Sequence, residues 1–121
     1  MTKILIVDDD ATITELMKSL VIMEGHEPII VNDSSQAVEI AHAVDPDLIT
    51  LDLMMPGLTG FDLCEILHND PKFADTPIIL VSAKDDQASK EKAFSLGARD
   101  YITKPFDIDE FLDRINSFIT T

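Results

Sequence analysis

The sequence has 121 residues, of which 23 are aspartate or glutamate and only nine are lysine or arginine, so its formal net charge is −14. A chain this acidic repels phosphate backbones and anionic lipid surfaces, which argues against direct binding of this segment to nucleic acid or to membranes and favours cations and basic partners. The length predicts one domain, residues 1–121. No apolar run approaches the roughly 18 residues of a membrane helix, and the single cysteine argues against a disulfide framework, so we expect a cytoplasmic protein.

Short apolar runs recur along the chain. They are rich in β-branched residues and continuous rather than alternating, which is typical of strands that are buried on both faces of a parallel sheet. The predicted strands are residues 4–7, 29–31, 48–51, 78–81 and, more weakly, 101–103.

Segments with helical spacing lie between and after these runs. The predicted helices are residues 13–20, 35–44, 60–69, 87–96 and 108–119. Asp10 is positioned to cap the first helix, and Ser34 or Ser35 to cap the second. Gly25 and Gly97 stand where helices should end.

Strands that alternate with helices predict an α/β fold with a parallel sheet covered on both sides. Five β-α units are too few for an eight-stranded barrel, so we expect a doubly wound, flavodoxin-like three-layer sandwich with strand order 2-1-3-4-5. Ligands in such folds bind beyond the carboxyl ends of the strands, at the switch between the first and third strands.

Polar residues follow four of the predicted strands. Asp8 and Asp9 follow the first, Asp52 the third, Ser82 stands at the end of the fourth, and Lys104 follows the fifth. A parallel sheet gathers these ends at one edge, where three carboxylates repel one another unless a cation is bound. A hard divalent ion such as Mg²⁺ suits this set, because it accepts carboxylate ligands and leaves positions for phosphate oxygens.

This set of residues is suited to phosphoryl transfer. The carboxylate of Asp52 can act as a nucleophile and form an acyl phosphate. The metal and Lys104 would neutralise charge on the transferring group, and Ser82 can donate a hydrogen bond to a phosphoryl oxygen.

Further motifs complete a pattern that covers essentially the whole chain. They are ILIVDD at 4–9, PDLITLD at 46–52, MPG at 55–57, Gly60, PII at 77–79, VSA at 81–83, Gly97-Ala98, Tyr101 and KPF at 104–106. In these motifs and their spacing the sequence closely resembles the receiver domain of bacterial two-component response regulators, the CheY-like superfamily. The resemblance implies a phosphoacceptor signalling domain, which catalyses only its own phosphorylation and dephosphorylation.

The resemblance also implies a role for each residue of the site. Asp52 matches the phosphoacceptor, Asp9 the direct metal ligand and Asp8 the acid that acts through water, while Met54 would offer its backbone carbonyl to the metal. Lys104 matches the phosphate-binding lysine. The implied ion is Mg²⁺, with Mn²⁺ as an alternative.

Two residues match the switch of the family. Ser82 matches the hydroxyl residue that moves toward the phosphoryl group, and Tyr101 the aromatic residue that turns inward with it. The Lys104-Pro105 bond is expected to be cis, as in the family. The repacking of Ser82 and Tyr101 would reshape the face formed by the fourth helix, fifth strand and fifth helix.

The positions that border the phosphoryl site vary within the family and tune the lifetime of the phosphate. Here they are Met54, Ala83 and Lys84. Our hypothesis is that the bulk of Met54 and the charge of Lys84 hinder or misplace the attacking water, which would give a long-lived phosphate.

The resemblance implies partners of two kinds. A sensor histidine kinase or a phosphotransfer protein would donate the phosphoryl group, and a downstream protein or a missing effector domain would read the altered face. A stand-alone regulator, the receiver segment of a longer protein, and a phosphorylation-dependent homodimer through the same face all stay open.

Three alternatives stay open. A Mg-dependent aspartate-nucleophile phosphatase of the haloacid-dehalogenase type would place a second acid two residues after its nucleophile, where this chain has Met54. A flavodoxin-type FMN carrier would follow its first strand with a loop rich in Gly, Ser and Thr, where this chain has three aspartates. A non-phosphorylated interaction module usually lacks part of the acidic set, which this chain keeps.

Overall fold

Five parallel strands form one sheet in the order β2-β1-β3-β4-β5 in a computed structural model that describes residues 2–119. The strands are β1 (Lys3–Val7), β2 (Glu27–Val31), β3 (Leu48–Leu51), β4 (Ile78–Ser82) and β5 (Asp100–Thr103). The helices are α1 (Ala11–Met23), α2 (Ala37–Val44), α3 (Gly60–Asn69), α4 (Gln87–Ser95) and α5 (Ile108–Ser117). The predicted doubly wound fold and its strand order are confirmed.

Each strand divides its apolar side chains between the two faces of the sheet. Leu5 and Leu51 belong to the core on the side of α2 and α3, whereas Ile4, Ile6 and Leu48 belong to the core on the side of α1 and α5. The helices contribute Ala41, Leu63 and Leu67 to the first core, and Met17, Leu20, Phe111 and Ile115 to the second. Burial on both faces explains why the strands are continuous apolar runs.

The helices begin at side-chain caps. The carboxylate of Asp10 accepts hydrogen bonds from the N–H groups of Thr12 and Ile13, as predicted. The predicted cap of the second helix is wrong, because a short 3₁₀ turn (Ser34–Gln36) precedes α2 and is capped by Asp33. Its carboxylate accepts from the Ser35 N–H at 3.0 Å, so an acid one residue earlier satisfies the free backbone group.

Within residues 2–119, no helix is both long and apolar enough to cross a membrane.

The register brings particular strand ends together. Val7 pairs with Leu51, and the Asp52 N–H donates to the Val7 carbonyl at 3.0 Å. Asp8 and Asp52 therefore leave neighbouring strands at the same level. Further along the sheet, where β4 and β5 end, the Lys104 N–H donates to the Ser82 carbonyl at 2.8 Å.

A glycine opens α3 because the first turn of this helix lies against the backbone that follows β3. A Cβ on Gly60 would clash with the carbonyl oxygen of Asp52 and would stand 2.8 Å from the Cα of Leu53. The Gly60 N–H also donates to the Leu53 carbonyl at 3.1 Å. Only a residue without a Cβ fits at position 60. The start of α3 therefore packs directly against the backbone segment that carries Asp52.

The substitution Gly60→Ala is expected to lower the free energy of unfolding by roughly 1 to 3 kcal/mol, because the backbone must move apart to admit the methyl group. Urea unfolding measures this loss. Gly25→Ala is the control, since an added Cβ there meets nothing within 4 Å and only the positive φ of +82° is strained, at about 1 kcal/mol. A Gly60→Ala variant as stable as the wild type would contradict the close approach.

Candidate functional site

Three carboxylates meet at the carboxyl edge of the sheet. Asp8, Asp9 and Asp52 each offer one oxygen, and these atoms all lie within 4.8 Å of one another. Asp8 and Asp52 are buried, with 2% and 7% of their surface exposed, whereas Asp9 is exposed. Two anions are thus held away from water while the third faces the solvent.

One ammonium group lies between the two buried acids. The Nζ of Lys104 is 2.6 Å from Asp8 Oδ2 and 3.6 Å from Asp52 Oδ1. The other carboxylate oxygen of Asp8 accepts the N–H of Asp10 at 3.0 Å. Asp8 is therefore bound on both oxygens, and Asp52 has the weaker share of the lysine.

The pKa of Asp52 reflects this arrangement. The pKa of Asp52 is raised from its usual 3.8 to about 6, chiefly by burial and next by the charge of Asp8. The ammonium of Lys104 and a hydrogen bond from the Met54 N–H lower the pKa without cancelling the rise. Without a cation, Asp52 therefore holds a proton more readily than an exposed aspartate does.

The same three acids fit a divalent metal. Carboxylate oxygens are the ligands that Mg²⁺ and Mn²⁺ prefer, and a double positive charge would remove the repulsion between the acids. Asp8, Asp9 and Asp52 could hold such an ion, and it would favour the ionised form of Asp52.

Asn32, the residue after β2, supports this site and was not among the predicted site residues. Its amide Nδ2 donates to the Asp8 carbonyl at 2.8 Å and lies 3.2 Å from the hydroxyl of Thr14 in α1. It fixes the backbone of Asp8 and ties α1 to the sheet edge. Asn32 directly follows the second strand, so the rule that strand ends share one edge could have identified it.

A second group of residues lies around the end of β4. Ser82 is fully buried, and its Oγ accepts the N–H of Lys84 at 3.2 Å. The hydroxyl of Tyr101 donates to the Lys84 carbonyl at 2.6 Å, and only 6% of the tyrosine surface is exposed. The backbone of Lys84 therefore connects Ser82 to an inward-facing Tyr101, and this role of Lys84 has no signature in the sequence.

The remaining predicted residues lie at the rim. Met54 is 63% exposed, and Ala83 is also exposed. The side chain of Lys84 is half exposed, and its Nζ is 3.8 Å from the carboxylate of Asp86. The peptide bond between Lys104 and Pro105 is cis.

The family follows from a comparison of the sequence with known domains. The sequence model of the response regulator receiver domain matches residues 4–116. The chain belongs to this family. Receivers are the signalling domains of two-component systems, so the resemblance stated from the motifs is confirmed.

The receiver is similar to about half of each of two longer regulators. The DNA-binding dual master transcriptional regulator RpaA of Synechocystis is 38% identical over 119 residues, which cover 98% of this chain and 49% of that protein. The DNA-binding response regulator MtrA of Mycobacterium tuberculosis is 36% identical over 115 residues, which cover 95% of this chain and 49% of that protein. The chain thus spans about half the length of the curated relatives it matches.

Solved receiver structures match the whole fold. The chemotaxis protein CheY4 of Vibrio cholerae has a TM-score of 0.93 at 25% identity and covers 98% of this chain and 99% of its own. The BeF3-activated receiver domain of Klebsiella pneumoniae RstA has a TM-score of 0.92 at 27% identity and covers 99% of this chain and 100% of its own.

The substitution Asp52→Asn is expected to stabilise the metal-free receiver at pH 7 by about 1 to 3 kcal/mol, since it removes a buried anion. The pKa of the carboxyl is about 6 when folded and 3.8 in its usual state. Below pH 4 the Asp52 carboxyl is protonated in both the folded and the unfolded state, and above pH 6 it is ionised in both. Between pH 4 and 6 it is protonated chiefly in the folded state. The free-energy cost of burying the anion therefore grows as the pH rises from 4 to 6. The gain should therefore shrink as the pH falls from 6 to 4, which urea unfolding in EDTA measures.

Asp62→Asn is the control for this pH dependence. Hydrogen bonds from Thr59 hold the pKa of Asp62 below its usual value, so its loss should destabilise the protein at pH 7. A gain for Asp52→Asn that does not change with pH would contradict the raised pKa.

Proposed function

We propose that this receiver accepts a phosphoryl group on Asp52 with the help of Mg²⁺, from a histidine kinase or a phosphotransfer protein. The observation that carries the proposal is the convergence of Asp8, Asp9 and Asp52 within 4.8 Å, with the Lys104 ammonium between the two buried acids. Structural ion pairs do not need a third acid that is open to solvent, whereas a site for a metal and a phosphoryl group does.

The carboxylate of Asp52 is the nucleophile in this proposal. One of its oxygens attacks phosphorus, the new O–P bond forms as the P–N bond to the donor imidazole breaks, and the imidazole leaves with the electron pair and takes a proton from water. Lys104 already lies 3.6 Å from Asp52 Oδ1 and is positioned to bind a phosphoryl oxygen. A bound Mg²⁺ would supply positive charge for the transferring group. Asp9, Asp52 and the Met54 carbonyl would be its direct ligands, and Asp8 would act through water.

Ser82 and Tyr101 are the proposed switch. A phosphoryl oxygen would attract the Ser82 hydroxyl, which at present accepts the N–H of Lys84. The Lys84 carbonyl accepts the Tyr101 hydroxyl, so a change at Ser82 reaches the tyrosine through a single residue. Phosphorylation would then shift the population of conformers of the surface formed by α4, β5 and α5.

This α4-β5-α5 surface is the proposed output surface. It carries exposed apolar side chains, among them Phe94 on α4 and Ile108 at the start of α5. Because the curated relatives are twice as long and are named as DNA-binding, we propose a DNA-binding effector domain as the reader of this surface in a longer protein. The acidic receiver would itself make no contact with DNA, and a homodimer through the same surface is a further proposed outcome of phosphorylation.

Incubation with acetyl phosphate or phosphoramidate and Mg²⁺ is expected to add a single ~80 Da group, detected by intact mass. The adduct should be absent in EDTA, where the metal is removed, and absent in Asp52→Asn. Asp75→Asn, an exposed aspartate in the loop before β4, should be phosphorylated like the wild type. An adduct that survives in Asp52→Asn would contradict the assignment of the phosphoacceptor. No adduct from these donors or from a phosphorylated kinase would favour the non-phosphorylated interaction module.

The phosphate is expected to last for minutes or longer, because Met54 and Lys84 hinder the attacking water. Met54→Ala should shorten the half-life severalfold, measured as decay of the adduct after donor removal. Met23→Ala is the matched control, since Met23 is 78% exposed at the end of α1, away from the site. A wild-type half-life of only seconds would refute this role.

A further inference from the structure

The loop between β4 and α4 is held at three successive residues. The Lys84 carbonyl accepts the Tyr101 hydroxyl at 2.6 Å. The carboxylate of Asp86 caps α4 by accepting the N–H of Ser89 at 2.9 Å and its hydroxyl at 2.8 Å. Asp85 lies between these two anchors, and neither the fold nor the proposed phosphoryl chemistry accounts for its contacts.

The carboxylate of Asp85 joins the loop to two other elements. Its Oδ1 accepts the hydroxyl of Thr103, the last residue of β5, at 3.1 Å. The same oxygen is 2.6 Å from the Nζ of Lys90 in α4. The ammonium and the hydroxyl hold the pKa of Asp85 below its usual value, which keeps the carboxylate charged at neutral pH.

These contacts lie next to both switch residues. Thr103 is the register partner of Ser82 in the sheet, and Lys104 follows Thr103 directly. The Nζ of Lys90 is 5.9 Å from the ring centroid of Tyr101, so the cation that binds Asp85 also faces the buried ring. Asp85 thus fixes the loop to the strand that carries Tyr101, one residue from the carbonyl that the tyrosine binds.

We propose that Asp85 is a positioning residue that, through Thr103 and Lys90, holds the β4-α4 loop in the shape that keeps Tyr101 inward and Ser82 oriented before phosphorylation. The consequence for phosphorylation rests on the function proposed above, whereas the effect on Tyr101 does not. An exposed ion pair with one hydrogen bond shifts a two-state equilibrium by about two- to fivefold. A shift of this size tunes the switch without locking it.

The test uses the fact that Tyr101 is the only tyrosine and that the chain has no tryptophan. Tyrosine fluorescence therefore reports Tyr101 alone, and its quenching by acrylamide measures how often the ring is open to solvent. Asp85→Ala and Thr103→Val should each raise the quenching constant of the unphosphorylated protein. The double variant should show no more than the larger single effect, because both changes remove the same bond.

Three controls separate positioning from a general loss of structure. Asp75→Ala, another exposed loop aspartate, should leave the quenching constant unchanged. Asp85→Asn keeps an oxygen that can accept from Thr103 and should give an intermediate value. Urea midpoints close to that of the wild type should accompany all of these variants, since the contacts of Asp85 are on the surface.

Phosphorylation gives a second, separate readout. The rate with phosphoramidate should fall in Asp85→Ala in proportion to the lost inward population, by at most about fivefold. If no variant, including the wild type, forms an adduct with phosphoramidate, acetyl phosphate or a phosphorylated kinase, the proposed function fails while the quenching comparison still decides the role of Asp85. Quenching constants for Asp85→Ala and Thr103→Val equal to that of the wild type would overturn the proposal, and so would fully additive effects in the double variant.

Discussion

Repulsion between two buried carboxylates governs the carboxyl edge of this receiver. Asp8 and Asp52 leave neighbouring parallel strands in register, and both are almost fully buried. A single ammonium, that of Lys104, lies between them and binds Asp8 more closely than Asp52. The fold supports this arrangement through sheet hydrogen bonds, the Asn32 amide and the tight start of α3. What remains is an excess of negative charge that a cation can relieve.

Because Lys104 lies closer to Asp8 than to Asp52, it neutralises the charge of Asp52 only in part. The pKa of Asp52 is raised to about 6 because desolvation and the charge of Asp8 outweigh the ammonium of Lys104. Any event that adds positive charge, or that converts the carboxylate to an acyl phosphate, would alter the contacts of Lys104. Since the N–H of Lys104 is bonded to the Ser82 carbonyl, the charged site and the hydroxyl end of β4 are mechanically adjacent. Only a short distance therefore separates the carboxylate site from the surface near Tyr101.

The large features of the molecule could be predicted because they depend on periodicity. Continuous apolar runs specify strands buried on both faces, and the parallel sheet then places Asp8, Asp9 and Asp52 together whatever their separation in sequence. The same rule placed Lys104 and Ser82 at that edge. Asn32 obeys it too, but a lone asparagine after a strand is more often a turn residue than a support for a neighbouring backbone.

Other features depend on backbone geometry that the sequence does not display. Asp33 rather than a serine caps the 3₁₀ turn, whereas the hydroxyl of Ser34 donates to the Pro56 carbonyl and that of Ser35 to the Asp33 carboxylate. The connecting role of Lys84 belongs to its N–H and carbonyl, which every residue except proline has. The contact between Gly60 and the Asp52 carbonyl appears only once α3 is packed. These details separate a recognisable fold from a working arrangement of its loops.

Calorimetric titration of the purified receiver with Mg²⁺ tests the central claim most directly, because it asks whether the three carboxylates form one cation site. We predict one Mg²⁺ per chain in the wild type, binding at least tenfold more weakly in Asp9→Asn, and unchanged affinity in Glu39→Gln, an exposed acid on α2. Asp9 is the informative position because it is exposed, so its replacement alters the charge of the site without disturbing the core. No saturable binding, or binding that Asp9→Asn leaves unchanged, would contradict the account.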